Sequence, residues 1–304
     1  MECVGKFRNT WSRVGIVLAG VCTACGTSAQ TNAPPAAKGV TLPEITVTAK
    51  ANREEAKIGP YRQPEWTTHR RFPTTRVYLQ DTPWETEFEQ WARYQNFRDG
   101  SSEWFFQEEA TLGLPHRFQF DLYYNWLLPE EGGAQQDSVA AELRYAFADW
   151  GKIPLNPTIY LEYKLGLDEK PDAYELKLLL GDEIAPNWHW GANLFVEQAT
   201  GEEEETEAGV SLALGYTLLD QKLGLGIEMQ YEQTSVKGQR DDPEREVLIG
   251  PSFQWRPLPG VHLDAVPLFG VTDDAPRVEC WLVLGYDFGS IKRPTLAPRS
   301  TESR

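Results

Sequence analysis

The feature that most constrains the fold of this sequence is a sustained alternation of apolar and polar residues from residue 84 onward. In residues 118–126 every even-numbered side chain is apolar or aromatic, whereas Gln119, Asp121 and Asn125 stand at odd-numbered positions. Because successive side chains of a β-strand point to opposite faces, this pattern predicts strands with one apolar and one polar face. The twelve segments that carry it are 84–94, 103–114, 118–126, 139–147, 159–167, 174–180, 188–197, 210–216, 223–231, 246–255, 261–270 and 278–288.

The connections between these segments alternate in length. Pro115-His116 is a short connection, whereas the polar stretches 95–102 and 234–245 are longer. Short turns at one end and longer loops at the other are typical of outer-membrane barrels, in which an even number of strands returns the chain to its starting side. The predicted fold is all-β: a closed, antiparallel, up-and-down transmembrane barrel of about 12 strands over residues 84–288.

A soluble antiparallel barrel would show the same alternation, with its apolar face turned inward. Two features favour a membrane barrel instead. The segments are about ten residues long, which is the length that crosses a bilayer obliquely. Their apolar faces end in rings such as Trp188, Tyr216 and Tyr286, which suit the interface between lipid and water. We therefore expect the apolar faces to contact outer-membrane lipid and the polar faces to surround a lumen.

The residues on either side of the predicted barrel have a different composition. Three basic residues precede the apolar run 14–21, and small residues follow it, so residues 1–29 are predicted to be a signal peptide. Lipid attachment at Cys25 is the alternative. Residues 30–83 are rich in Pro, Ala, Thr and charge without a period, which predicts a flexible periplasmic leader. Residues 289–304 are expected to form a periplasmic tail.

In its pattern of strands and turns, the chain resembles bacterial outer-membrane β-barrels of the porin-like kind. Its last segment, 278–288, resembles the terminal strand of those proteins, which ends in phenylalanine after alternating apolar residues. This resemblance implies that Tyr286 and Phe288 form the signal read by the barrel-assembly machinery. The sequence departs from the pattern in one respect, because residues 289–304 follow the terminal phenylalanine.

Residues 42–49 resemble the TonB box of TonB-dependent receptors, which pairs edge to edge with an energising periplasmic partner. The resemblance implies such a partner for this chain, and a plain extended linker is the alternative. The rest of the sequence departs from that family. The leader is too short for a plug domain, and the remaining chain is too short for the roughly 22 strands of those transporters.

If the apolar faces contact lipid, the charged residues on the opposite faces line the lumen. Acidic side chains outnumber basic ones there, which favours a narrow pore for small polar or cationic solutes. A lumen closed by ion pairs, in a structural or surface barrel, is the alternative. The residues expected to line the lumen are Glu85, Glu87, Glu89, Arg93, Asp121, Glu142, Arg144, Glu162, Lys164, Glu175, Lys177, Glu228, Glu232, Asp264, Arg277 and Glu279.

Three residues fit the strand pattern poorly. Pro251 and Pro267 fall in neighbouring segments, where each removes a ladder hydrogen bond, so the sequence predicts a bulge or kink there. Glu108 falls on the apolar face of its segment, which suggests a register slip near the rim.

Other classes of function have less support. The net charge of −16 argues against nucleic-acid binding, which needs a basic surface. The four histidines are scattered singly, and cleavage after residue 29 leaves only Cys280, so neither a metal site nor another cofactor is predicted. A lipid-directed enzyme would need a serine beside a histidine. His189 and Ser211 fall on neighbouring polar faces but would point into the lumen, so no catalytic residue is predicted.

Overall fold

The computed structural model describes residues 53–69, 71–201 and 205–288. Twelve strands within these ranges form a closed antiparallel barrel, which confirms the predicted fold class. Two shorter strands, β1 (Lys57–Ile58) and β2 (Gln63–Pro64), pair with each other ahead of the barrel. The barrel strands are β3 (Thr86–Asn96), β4 (Ser102–Leu114), β5 (Phe118–Pro129), β6 (Gln135–Ala146), β7 (Thr158–Gly166), β8 (Ala173–Ala185), β9 (Trp188–Ala199), β10 (Thr206–Leu219), β11 (Leu223–Ser235), β12 (Glu244–Leu258), β13 (Val261–Gly270) and β14 (Val278–Asp287).

Closure of the barrel joins its last strand to its first. Every barrel strand pairs antiparallel with its neighbours in sequence, and β14 pairs with β3. That closing ladder runs from Val278 opposite Asn96 to Asp287 opposite Glu87 without a shift in register. A closed ladder satisfies the backbone hydrogen bonds of all strands and leaves no free edge, as a structure in lipid requires.

The two ends of the barrel differ, and we name them by their connections. The turn end holds the connections 115–117, 147–157, 186–187, 220–222 and 259–260. The loop end holds the connections 97–101, 130–134, 167–172, 200–205, 236–243 and 271–277. In outer-membrane barrels the shorter connections face the periplasm. One turn-end connection, 147–157, is much longer than the others.

The outer surface of the barrel is apolar. Leu161, Leu194 and Leu284 point away from the lumen and expose 49%, 48% and 52% of their surface, whereas the inward-pointing Glu142 and Asp264 are fully buried. An apolar exterior around a polar interior is the arrangement of a barrel that crosses a membrane. The chain is therefore an outer-membrane β-barrel. No helix among the described residues is long and apolar enough to cross a bilayer.

Aromatic rings mark both ends of the apolar surface. Near the turn end, the rings of Trp188 and Tyr216 lie 5.0 Å apart. Rings in such bands gain by lying between lipid and water, so these positions fit the two membrane interfaces. Near the loop end, a row of contacting rings consists of Tyr94, Trp104, Phe106 and Trp126.

The register slip predicted at Glu108 is wrong. Strands β4 and β5 pair without a shift, with Glu108 opposite Tyr124. The Glu108 carboxylate stays on the outer face, where the indole nitrogen of Trp126 donates a hydrogen bond to it at 3.1 Å. Because this partner satisfies one carboxylate oxygen, the strand keeps its register.

Pro251 and Pro267 do interrupt the ladder between β12 and β13, but they produce no bulge. The pairing stops beside them and resumes at Phe253 in the same register. The register shift in this pair of strands lies farther along, between Trp255 and Leu258. Proline removes a donor without changing the residue count, which explains a gap that preserves the register.

Residues 53–82, which we call the lumenal segment, differ most from the prediction. The sequence predicts a flexible leader here, whereas the structure packs the described residues, 53–69 and 71–82, inside the barrel. Trp66, Phe72, Tyr78 and Leu79 are all fully buried or nearly so. Burying such large apolar side chains offsets the entropy cost of ordering the segment. The absence of a period in the sequence argues against long strands and helices, but it does not exclude packing.

The long turn-end connection covers this segment. The indole of Trp150 packs edge-on against Trp66 and Tyr78, with ring centroids 5.6 and 5.3 Å apart. The Tyr78 hydroxyl donates a hydrogen bond to the carbonyl oxygen of Ala148 at 2.8 Å. The connection is therefore long because it closes over the lumenal segment. The predicted signal peptide 1–29, the segment 42–49 and the tail 289–304 lie outside the described residues.

Candidate functional site

The candidate site is the lumen, and the lumenal segment is tied into it by polar contacts. Arg71 forms an ion pair with Glu54 at 2.6 Å and donates to the Thr217 hydroxyl at 3.0 Å. Both charged side chains are buried. Burial disfavours the charged form of Glu54, but the Arg71 guanidinium and the Thr217 hydroxyl outweigh it and hold the pKa of Glu54 below its ordinary value of 4.5.

Farther along, backbone groups of the lumenal segment bind side chains of the wall. The amide of Arg76 donates to Asn193 at 2.8 Å, and the Asn193 amide donates back to the Arg76 carbonyl at 2.7 Å. The Thr74 amide and hydroxyl both donate to the Glu228 carboxylate, at 2.9 and 2.6 Å. These polar residues of the wall replace water as partners of buried backbone groups, as a folded segment in a lumen requires.

Glycines in the wall give the segment its space. A Cβ atom at Gly191 would lie 2.7 Å from Cγ2 of Val77, and one at Gly215 would lie 2.8 Å from Cε1 of Phe72. A Cβ atom at Gly181 would lie 2.5 Å from Val77. Larger residues at these inward positions would collide with the lumenal segment.

The lumenal segment separates two cavities of about 470 Å³ each. The cavity at the turn end is lined by Glu65 and His69 of the segment and by the connection 220–222. The cavity at the loop end reaches the segment at residues 73, 74 and 76.

Charged groups dominate the loop-end cavity. Its lining includes seven carboxylates and four cationic side chains. Lys164 pairs with Glu197 at 2.9 Å, and Lys177 pairs with Glu175 at 2.9 Å. The remaining acids therefore leave an excess of negative charge. The carboxylates of this lining are Glu103, Asp137, Glu162, Glu175, Glu197, Glu207 and Glu232.

Aromatic rings hold several of the cations in place. The Arg93 guanidinium lies over the rings of Phe105 and Trp281, at 4.9 and 5.3 Å from their centroids. The Lys177 ammonium lies 4.7 Å from the centroid of the Tyr160 ring. Cations held over rings in this way are positioned by the electron density of the ring face and stay close to the wall.

Beneath this cavity, another set of predicted lining residues forms a closed network. Arg144 pairs with Asp121 at 3.0 Å and with Glu142 at 2.6 Å, and the Tyr123 hydroxyl also donates to Glu142. All four side chains are buried. Since each charge has a partner, this network stiffens the wall and offers no free carboxylate to a solute.

The structure brings most of the predicted lining residues to the inner face. Two lie elsewhere, because neither belongs to a strand. Glu85 precedes β3 and accepts a hydrogen bond from the Thr82 amide at 3.1 Å. Arg277 is exposed at the loop end, where it donates to the carbonyl oxygen of Arg98 at 2.7 Å. The inward residues are Glu87, Glu89, Asp121, Glu142, Arg144, Glu228, Asp264 and Glu279, which are buried, and Arg93, Glu162, Lys164, Glu175, Lys177 and Glu232, which are half-buried.

The pair considered for catalysis does not come together. Ser211 faces the loop-end cavity and lies opposite Asn193 in the sheet. His189 lies opposite Gly215, nearer the turn end, and its Nε2 atom contacts the Glu55 carboxylate at 3.0 Å. The inference missed from the sequence is the lumenal segment itself. The available signal is that every aromatic residue of the predicted leader 30–83 falls within 53–82.

Tyr286 and Phe288 lie on the outer face at the end of the closing strand. Their rings meet with centroids 4.7 Å apart. Both side chains are exposed. Their role as an assembly signal remains a prediction.

Comparison with known proteins bears on the fold. The family model described as "MetA-pathway of phenol degradation" matches residues 175–279, which is less than half of the chain. Nothing matches among curated proteins. An outer-membrane channel from Pseudomonas putida F1 is 12% identical, with a TM-score of 0.52 over 69% of this chain and 98% of that one. The fold is that of an outer-membrane β-barrel.

Two further solved structures are similar with lower scores. The NanC porin is 8% identical, with a TM-score of 0.46 over 66% of this chain and 97% of that one. The β domain of the Bordetella autotransporter BrkA is 12% identical, with a TM-score of 0.43 over 67% of this chain and 99% of that one. At such identities a likeness to solved structures concerns the fold and leaves function to the geometry of the lumen.

Proposed function

We propose that this protein is an outer-membrane channel for small polar or cationic solutes, closed at rest by its lumenal segment. The observation that carries this proposal is the acidic cavity at the loop end, which extends from strand residues near the loops, such as Glu103, to residues 73, 74 and 76. A surface barrel without transport has no need of a hydrated, charged entrance. Acidic linings concentrate cations and exclude anions.

Three carboxylates are the best candidates for this selectivity. Within the described residues, Glu162, Glu207 and Glu232 form no ion pair, although all three line the loop-end cavity. The Tyr160 hydroxyl donates to Glu162 and fixes its position. Carboxylates held in position along a narrow path contribute to the field that an entering ion meets.

The alternative is a structural or surface barrel whose lumen never opens. The buried pair of Arg71 with Glu54 and the covering ring of Trp150 favour it, because both stabilise the closed arrangement. The two functions differ in one respect: only a channel carries current when the lumenal segment is loosened.

Planar-bilayer recording of the refolded chain distinguishes them. The wild type is expected to conduct in rare, cation-selective openings, and Trp66→Ala is expected to lengthen them. Replacing Glu162 and Glu232 by glutamine should shift the reversal potential toward non-selectivity. Glu131→Gln, at an exposed loop position outside the cavity, is the matched control. Silence of both the wild type and Trp66→Ala would favour the structural barrel.

The proposed channel also gives a role to residues 42–49, which precede the lumenal segment in sequence. An energising periplasmic partner that bound this stretch would apply its pull directly to residues 53–82. The TonB-box-like sequence supports this proposal, and binding of the chain by such a partner, lost on deletion of 42–49, would test it. Assembly through Tyr286 and Phe288 is likewise a proposal, tested by whether Phe288→Ser slows insertion by the barrel-assembly machinery.

A further inference from the structure

A cluster of side chains at the turn end of the lumen is unlike the ion pairs elsewhere in the wall. His262 of β13 points its Nε2 atom at Glu87 and Glu89 of β3, with distances of 2.8 and 3.2 Å to their Oε1 atoms. Its Nδ1 atom lies 2.6 Å from Oδ2 of Asp264. All four side chains are buried. One imidazole is thus held between a carboxylate on one side and two on the other.

Strand β14 lies between β13 and β3, and a glycine in it allows this contact. Gly285 of β14 lies directly opposite His262 on one side and Glu89 on the other. A Cβ atom at Gly285 would lie only 1.8 Å from Nε2 of His262. Because glycine has no side chain, the imidazole can lie across β14 and reach the two glutamates. The cluster therefore depends on a cradle in the backbone as well as on its charged groups.

Several carboxylates are concentrated around this cluster. Glu87, Glu89, Asp264 and Asp287 are all buried at this end of the lumen, and Arg256 is close enough to interact with Asp264 and Glu87. Oδ1 of Asp264 is buried without a hydrogen-bond partner among the described residues. Buried carboxylates need a paired cation or a coordinated metal, and the imidazole with its two glutamates has the composition of a metal-ligand set.

We propose that Glu87, Glu89 and His262 bind a divalent transition-metal ion of the Zn²⁺ type, with Asp264 orienting the imidazole. With metal–ligand distances of about 2.0–2.2 Å, ligand atoms lie roughly 3.0–3.4 Å apart around the ion. The contacts of Nε2 with the two glutamates are already near that separation. A carboxylate on Nδ1 fixes the tautomer that presents Nε2 as the ligand.

The ligand set indicates which ions fit. An imidazole suits zinc, copper, iron and nickel, whereas sites made only of oxygen ligands suit magnesium and calcium. A site with one imidazole and two carboxylates therefore prefers Zn²⁺ to Mg²⁺. The nearby turn-end cavity, lined in part by His262 and Asp287, gives an ion a route to the site.

The lumenal segment contributes to the site. Nε2 of Gln80 donates to Oε2 of Glu87 at 2.5 Å and to Oε1 of Glu89 at 3.1 Å. An ion that binds Oε1 of Glu87 leaves the contact of Gln80 with the other oxygen intact. Gln80 would then orient the Glu87 carboxylate through the oxygen that does not bind the ion. The ion and the seated segment would therefore stabilise each other.

Calorimetric titration of the metal-stripped full chain in detergent with Zn²⁺ tests this site. We expect one zinc ion per chain that is lost in His262→Gln, with binding weakened at least tenfold in Glu89→Gln. Asp264→Asn should weaken binding by about 10- to 100-fold, as orienting carboxylates do. Mg²⁺ at the same concentration should not compete.

His189→Gln is the matched control, because His189 is also buried in the lumen wall and also contacts a glutamate through Nε2. It should keep the zinc. Equal zinc binding by the wild type and His262→Gln, or equal losses in His262→Gln and His189→Gln, would overturn the proposal. If His262→Gln does not fold, the isosteric Glu89→Gln decides, since unchanged affinity in that variant also overturns it.

Discussion

The two halves of the lumen are built from the same strands but are filled in different ways. At the turn end, the inward positions include Gly181, Gly191 and Gly215, and the space they leave is occupied by the lumenal segment. At the loop end, the inward positions carry long charged side chains such as Lys164 and Glu232, which line one of the two cavities of about 470 Å³. Glycines at inward positions thus make room for the apolar side chains of the lumenal segment, whereas long charged side chains line the loop-end cavity.

The ion pairs at the two ends also differ in how far they are exposed to water. The pair of Arg71 with Glu54 is almost fully buried, with side-chain exposures of 4% and 3%. The pair of Lys164 with Glu197 remains 29% and 18% exposed. Removing one partner of a buried pair leaves the other charge buried and unpaired, whereas water screens the charge that remains from a partly exposed pair. The turn end should therefore be rigid, and the loop end adaptable.

The largest effect is expected from Trp66→Ala, which removes the central ring of the lumenal segment. Deletion of a buried tryptophan costs about 3–5 kcal/mol, so the segment should open at least a hundredfold more often. The measurement is the rate of tryptic cleavage after Arg62 and Arg71 in the folded barrel. Trp104→Ala, which removes an outward ring at the loop end, should leave that rate unchanged.

Gly191→Val should have the next largest effect. Its side chain would collide with Val77 of the lumenal segment, and overpacking of this kind costs about 1–3 kcal/mol. We expect a higher open probability in bilayer recordings. Gly133→Ala is the control, because a Cβ atom there meets nothing within 4 Å. Identical recordings for both variants would show that the glycines do not make room for the segment.

Acid should loosen the turn end through Glu54. Its pKa is depressed in the folded state, so its contribution to stability is complete above the ordinary value of 4.5 and is lost as the pH falls through the depressed pKa. Hydrogen exchange of residues 53–82 should therefore accelerate below about pH 4.5 once intrinsic exchange is corrected for. Glu54→Gln should reduce this pH dependence, and an unchanged profile in that variant would assign the effect to other carboxylates.

The smallest effect is expected at the loop end, from Lys164→Met. The pair with Glu197 is partly exposed, so its loss should change the free energy of unfolding by about 1 kcal/mol or less. The urea midpoint of the folded barrel in detergent measures it. A loss as large as that of Trp66→Ala would contradict the distinction between a rigid and an adaptable end.

The barrel could be predicted from the sequence because each strand shows apolar and polar residues alternating with a period of two. The alternation of short and longer connections adds a second signal. The lumenal segment could not be predicted, since residues such as Trp66 and Phe72 follow no period and their partners in the barrel strands lie more than a hundred positions away. The same holds for the cluster at His262. That residue meets Glu87 only because β14 closes the barrel onto β3.

Hydrogen exchange of the folded full chain in detergent at neutral pH tests the central claim most directly. If residues 53–82 lie packed within the lumen, their amides should be protected together with those of the barrel strands. Amides of 53–82 that exchange as fast as those of a free peptide, while the strands stay protected, would contradict the account of a lumen closed by its own chain.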